Sequence, residues 1–140
     1  MKYKFFDHTA DVMFEAYGKD LNELFENAAL ATEEIMVNLK SIKNKSQHSI
    51  SLNAESLEDL LYDFLSELIF VKDTESLLFN DFRISIVHKN NKYELNAQCQ
   101  GENIDRKRHQ LNADAKAVTK HKFEIKKIKD KYTAHVIVDI

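Results

Sequence analysis

The residues best suited to chemistry lie near the two ends of the chain. Asp7, His8, Thr9 and Asp11 put two carboxylates, an imidazole and a hydroxyl within five positions, with no glycine or proline among them. At the far end an apolar run, His135-Val136-Ile137-Val138, leads into Asp139 and Ile140. Asp139 adds a carboxylate, and Ile140 carries the α-carboxylate, ionised at neutral pH. If the ends meet, Asp11, Asp139 and Ile140 form one anionic site. Carboxylates packed together repel, and a hard divalent cation removes the repulsion. Oxygen-only ligation favours Ca²⁺ or Mg²⁺, with Mn²⁺ also suited, over zinc or copper. The competing reading is that Asp7 or Asp11 caps the loop through an Asx turn. His8 is then a ligand, a group that orients a carboxylate, or a loop hydrogen-bonder.

A second feature is basic. Arg106, Lys107, Arg108 and His109, followed by Lys116, Lys120, His121 and Lys122, could receive phosphates of RNA or an acidic protein surface. No aromatic residue interleaves them from Arg106 to Lys122, so a base-stacking platform is not indicated. The formal net charge is −3, but the charge is uneven. Glu55 to Glu75 holds seven acids against Lys72, whereas Gly101 onward holds ten bases against six acids. Such asymmetry can steer a partner; the plainer reading is a solvated helix face and a solvated hairpin. No serine sits in a nucleophile motif, and two isolated glycines exclude a Walker A loop or a dinucleotide fingerprint. Catalysis by this chain alone is therefore poorly supported.

These residues need positioning elements. At 140 residues, 44% hydrophobic and 31% charged, the chain suits one soluble domain over 1–140. No apolar run is long enough to cross a membrane, and no signal peptide is apparent. Cys99 is the only cysteine, which excludes an internal disulfide framework and points to a reducing, cytoplasmic setting. It also makes a structural zinc site improbable.

Tyr3 to Phe6 reads as a strand. Val12 to Tyr17 reads as another, with Val12, Phe14 and Ala16 on one face and Met13, Glu15 and Tyr17 on the other. Gly18 marks a turn. Asp20 and Glu23 form a capping-box pattern, and Leu21, Leu24, Phe25, Ala28, Ala29, Ala31, Ile35 and Met36 make an apolar helical stripe towards Leu39. Gln47 to Leu52 alternates as a strand. Ser56 and Asp59 start a second helix, whose stripe is Leu57, Leu60, Leu61, Phe64, Leu65, Leu68 and Ile69. Leu77 to His88 and Tyr93 to Cys99 read as strands joined by a tight Asn90-Asn91 turn. Glu102 to Leu111 has no clear period, and Ala113 to Thr119 is ambiguous between helix and strand. Lys122 to Lys129 and Tyr132 to Asp139 read as a hairpin of unfixed register. The sum is α+β: one two-layer domain with an antiparallel or mixed sheet and two main helices. Pairing of the terminal strands would bring Asp11 and Asp139 close.

At these residues the sequence resembles the archease family, small accessory proteins of RtcB-type RNA ligases. The resemblance is carried by Asp7-His8-Thr9-Ala10-Asp11-Val12, then Gly101-Glu102 with Ile104-Asp105 and Arg108-His109, then Lys116-Ala117-Val118-Thr119 with His121, and Asp139-Ile140. The acidic, Leu-rich stretch from Leu57 to Leu68 is similar too. The resemblance runs end to end. It implies the archease fold of strand-helix-strand-strand (SHS2-like) units and a non-catalytic role. That role is to activate a ligase in tRNA splicing by promoting guanylylation of the ligase's histidine, permitting multiple turnover and widening its choice of NTP. It implies contact with tRNA only through the ligase. It also implies a metal site at Asp11, Asp139 and the carboxylate of Ile140, with Asp7 and His8 in support. Arg106, Arg108, His109, Lys116 and Lys120 are the candidate partner-binding residues. Two positions depart from the family pattern: Met13 follows Val12 where glycine is usual, and Lys120 stands where an aromatic is frequent. Two other classes remain in competition. One is a stand-alone metal-dependent hydrolase of RNA or nucleotides with His8 as base. The other is an RNA-binding, chaperone-like module that uses the basic region.

Overall fold

A computed structural model of the chain describes residues 1–6 and 10–140. The first two strands are β1 (Tyr3–Phe6) and β2 (Asp11–Gly18). Helix α1 (Leu21–Met36) starts where expected: the Asp20 side chain accepts from the Glu23 N–H at 2.8 Å. Glu23 reaches back to the Lys19 N–H at 3.1 Å, one residue before the cap. The helix stops at Met36, because Val37 is extended and bridges to Leu111. A 3-10 turn, Leu39–Ser41, leads to β3 (Ser46–Ala54). Helix α2 (Leu57–Glu75) is capped by the Ser56 hydroxyl, which accepts from the Asp59 N–H at 3.1 Å. It ends at Ser76, whose φ of 55° turns the chain into β4 (Leu77–Lys89).

Asn90 and Asn91, both at positive φ, make the tight turn to β5 (Lys92–Asn103). Of the ambiguous segment Ala113 to Thr119, the last three residues are strand and 113–116 has no regular structure: β6 (Ala117–Ile128) is continuous, with a register irregularity between Thr119 and Glu124. The apolar residues of that segment, Ala113, Ala115, Ala117 and Val118, make too short a pattern to separate strand from helix. The chain closes with β7 (Lys131–Asp139).

Every strand pairing is antiparallel, and the strands divide into two sheets, β1-β2-β7-β6 and β3-β5-β4. Both helices touch strands of both sheets, α1 chiefly β4 and β2, α2 chiefly β6 and β3. A single apolar cluster results, running from Phe14 and Ala16 through Leu24, Phe25, Leu61, Phe64 and Leu65 to Phe79, Val136 and Val138. The first four-stranded sheet turns Val12, Phe14 and Ala16 inward, opposite Val138, Val136 and Ala134. Among the described residues, no helix is long and apolar enough to cross a membrane.

One junction pins α1 to the second sheet. Asn80 is the extra residue of a bulge in β4: Phe79 faces Gly101 and Asp81 faces Gln100. Gly101 lies inside β5 rather than beyond its end, because the chains approach so closely there. An added Cβ would sit 1.8 Å from the Leu78 carbonyl oxygen. The Glu33 carboxylate of α1, fully buried, accepts from the Phe79 N–H at 3.1 Å. Burial pushes the Glu33 carboxyl up to about 8, against the opposing pull of the Phe79 N–H and the Lys72 charge. The neighbouring Cys99 thiol is pushed up to about 12 by burial, helped by Glu33, so it is a core group and not a nucleophile.

Two outcomes follow from this junction. Gly101→Ala should destabilise the protein by about 3 kcal/mol, read as a lower urea midpoint at unchanged slope. The folded chain holds the Glu33 proton that the unfolded chain, with its ordinary value of 4.5, releases. Stability should therefore fall as pH rises from about 4.5 towards 8. Glu33→Gln should flatten that slope in urea midpoints taken across the same range; an unchanged slope would contradict the assignment.

Candidate functional site

Strand pairing brings the two ends of the chain together. In the β2–β7 register Asp11 lies directly opposite Asp139, so their side chains share one face of the sheet. On the other side of Asp139 stands Ala117 of β6. The Lys116 N–H donates to the Asp139 carbonyl at 2.8 Å and ties the start of β6 to the same spot. The next row on this face is apolar: Met13 opposite Ile137, with Phe6 beyond Met13 and Thr119 beyond Ile137. Ile137 is buried there, so the acids stand at the sheet's end above an apolar base. Asp11 is half-buried, while Asp139 and Ile140 are exposed. Asp7 and His8 lie outside the described residues.

The donor set suits a hard cation. Two carboxylates on adjacent strands offer oxygen alone and negative charge. Among the described residues, no group of three His, Cys, Asp or Glu side chains is placed to hold a metal ion.

The basic set does not form one surface. His109 turns inward, 6% exposed, and Arg108 is half-buried. Both serve Glu102, which is 4% exposed. The Asp105 N–H donates to His109 Nδ1 at 2.8 Å, so the ring proton sits on Nε2 and is given to Glu102 Oε2 at 3.0 Å. The Lys43 N–H donates to the same carboxylate oxygen at 2.5 Å, and the Arg108 guanidinium donates to the other. Arg108 also donates to the Ser41 carbonyl at 3.0 Å. Burial alone would raise the Glu102 carboxyl; the hydrogen bonds from His109, Lys43 and Arg108 outweigh it and bring it down to about 2. Burial demands partners for Glu102, and the Arg108 and His109 side chains supply them. Arg106, Lys116 and Lys120 remain exposed. Lys120 lies over the Tyr62 ring of α2 at 4.9 Å, where Tyr62 meets Phe123 edge to face.

Glu102 and Lys72 are positioning residues that sequence reasoning passed over. Lys72 extends the apolar stripe of α2 four positions beyond Leu68, which is the signal that could have marked it. Its ammonium group, largely buried, donates to Asp114 at 2.6 Å and to the Ala115 carbonyl at 3.0 Å, and pairs with Asp73 at 2.6 Å. It thereby holds the segment that leads into Lys116 and β6, beside the acid pair.

The fold and site define a class: a two-helix, two-sheet α+β protein whose terminal strands pair to present opposed carboxylates. The Archease protein family (MTH1598/TM1083) model matches residues 3–140. Protein archease of Methanosarcina barkeri is 41% identical over 140 residues, covering 99% of this chain and 96% of its own length. Protein archease of Pyrococcus furiosus is 37% identical, with 99% of each covered. The solution structure of Methanobacterium thermoautotrophicum protein 1598 superposes with a TM-score of 0.89 at 40% identity and covers 99% of both chains. The Thermotoga maritima crystal structure, described as an archease and possible chaperone, has a TM-score of 0.63 at 19% identity. It covers 98% of this chain and 96% of its own, and shows the shared fold alone. The chain belongs to the archease family.

Replacing Glu102 with Ala should cost about 3–5 kcal/mol, because Arg108 and His109 would lose their buried acceptor. His109→Ala should cost about 1–3 kcal/mol. Denaturant unfolding measures both, and midpoints equal to the unaltered protein would show that the network is not structural.

Proposed function

We propose that this protein is a non-catalytic activator of an RtcB-type tRNA-splicing RNA ligase. It promotes guanylylation of the ligase's histidine, sustains multiple turnover and broadens the ligase's use of NTPs. It meets tRNA only through the ligase. Membership of the archease family supports the accessory role, and the opposed Asp11 and Asp139 are the observation that carries the reading to a site. Asp11 and Asp139 would hold a divalent ion, Ca²⁺ or Mg²⁺ with Mn²⁺ also suited, assisted by the Ile140 carboxylate. Asp7 and His8 would orient that set. Such an ion, when bound, supplies positive charge where phosphoryl groups are transferred.

The protein's own contribution is geometric. Paired strands keep the two carboxylates in fixed separation at the end of a rigid sheet, so they need no ordering on docking. Exposed Arg106, Lys116 and Lys120 remain available to a partner surface.

The test is multiple-turnover RNA ligation by the cognate ligase with and without this protein. Stimulation should be present with the unaltered chain and lost in Asp11→Ala and in Asp139→Ala, each with an unchanged circular dichroism spectrum. A C-terminal tag, which moves the Ile140 charge away, should weaken stimulation. RNA cleavage by the protein alone in Mg²⁺, Mn²⁺ or Ca²⁺, lost in Asp11→Ala, would instead make it a hydrolase. Salt-sensitive RNA affinity that survives Asp139→Ala would favour an RNA-binding module.

A further inference from the structure

The two sheets have four edges, and three of them are defended. β1 is four residues long with a lysine, Lys4. β6 carries Lys120, Lys122, Lys126 and Lys127. β4 has its bulge at Asn80 and an arginine, Arg83. Lysines, bulges and shortness are the devices that stop a sheet edge from pairing with another chain.

β3 has none of them. Its nine residues, Ser46 to Ala54, contain no charge, no proline and no register irregularity against β5. Among the described elements β3 touches only β5 and α2, so its second edge has no strand beside it. Its outer face is uncharged and already orderly: Gln47 and Ser49 both engage Gln98, and Ser51 engages Asn96. Charge appears only just outside the strand, as exposed Lys45 before it, whose ammonium also stands 3.9 Å from Glu102 Oε1, and exposed Glu55 after it.

We propose that β3 is the seam of a homodimer, in which two copies pair β3 antiparallel across a two-fold axis at Ile50. The register of fullest overlap is centred on Ile50, the middle of the strand. It sets Gln47 against Asn53 and Ser49 against Ser51 on the outer faces, polar against polar. It also sets Lys45 of each copy opposite Glu55 of the other, so the seam is closed at both ends by opposite charges. A shift of two residues breaks both charge pairs and shortens the ladder. Two three-stranded sheets become one of six strands, and the free N–H and C=O groups of β3 gain partners. An extended segment of another protein could add to the same edge, but it would not explain why the flanking charges are self-complementary.

Sedimentation equilibrium of the full chain over a wide concentration range tests the seam. A monomer–dimer equilibrium is expected. Lys45→Glu alone and Glu55→Lys alone each create two like-charged contacts by symmetry, and each should weaken dimerisation about tenfold. The combined Lys45→Glu, Glu55→Lys chain restores opposite charges and should return to within about threefold of the original. Both changes are at exposed positions, and circular dichroism checks folding. Independently, amide exchange in 46–54 should slow as concentration rises, while that of β4 does not. A chain that stays monomeric at every soluble concentration overturns the proposal. So does a dimer insensitive to the single reversals, failure of the double change to restore association, or protection of 46–54 only when another protein is added.

Discussion

The antiparallel pairing of β2 with β7 is the constraint on which the rest of the molecule depends. It joins the first long strand to the last, and it places the middle of the four-stranded sheet at the chain's two ends. Its register is held from the inside: Val12 against Val138, Phe14 against Val136 and Ala16 against Ala134, all facing the helices. Because side chains alternate along a strand, a slip of one residue would turn this apolar set outward. The cost of exposing it therefore also fixes Asp11 opposite Asp139 on the other face. Burial far from the acids determines the geometry of the acids. Like charges opposed on a sheet are unfavourable in themselves, so their placement is carried by the core.

Two internal ionic clusters extend this arrangement across the region between β5 and β6. Glu102, satisfied by Arg108, His109 and the Lys43 amide, closes the loop that follows β5 against the turn after α1. Lys72 of α2 then holds Asp114 and the Ala115 carbonyl, just before the chain enters β6. Between them they order a stretch with little regular structure, using side chains where backbone ladders are absent. Buried charge is tolerable in both places because each group is fully partnered. The basic region is accordingly two things at once. Part of it is internal scaffolding, while Arg106, Lys116, Lys120, His121 and their lysine neighbours face outward.

Edges show the same economy. The lysines of β6 that give the C-terminal half its positive character also blunt an exposed strand, so some of that charge answers a structural need before any partner is considered. The bulge at Asn80 serves twice: it bends β4 away from edge pairing, and it presents the Phe79 N–H to buried Glu33. β3 stands out against this background because it carries no such device.

By itself the sequence determined the two helices, their caps at Asp20 and Ser56, the inward face of β2, the Asn90-Asn91 turn and the α+β class. These depend on local periods and on side chains that bond to backbone a few residues away, so neighbours in the chain suffice to read them. It also marked Asp11 and Asp139 as candidates and carried a family resemblance that the whole-chain matches bear out. Tertiary structure alone decided the division into two sheets, the continuity of β6, the place of Gly101 inside β5, and the direct opposition of Asp11 and Asp139. It alone showed that Arg108 and His109 point inward to Glu102. Each of these turns on which distant residues share a register or a buried volume. A charge pattern cannot reveal that, because a buried, partnered arginine and a solvated one are the same letter in a sequence.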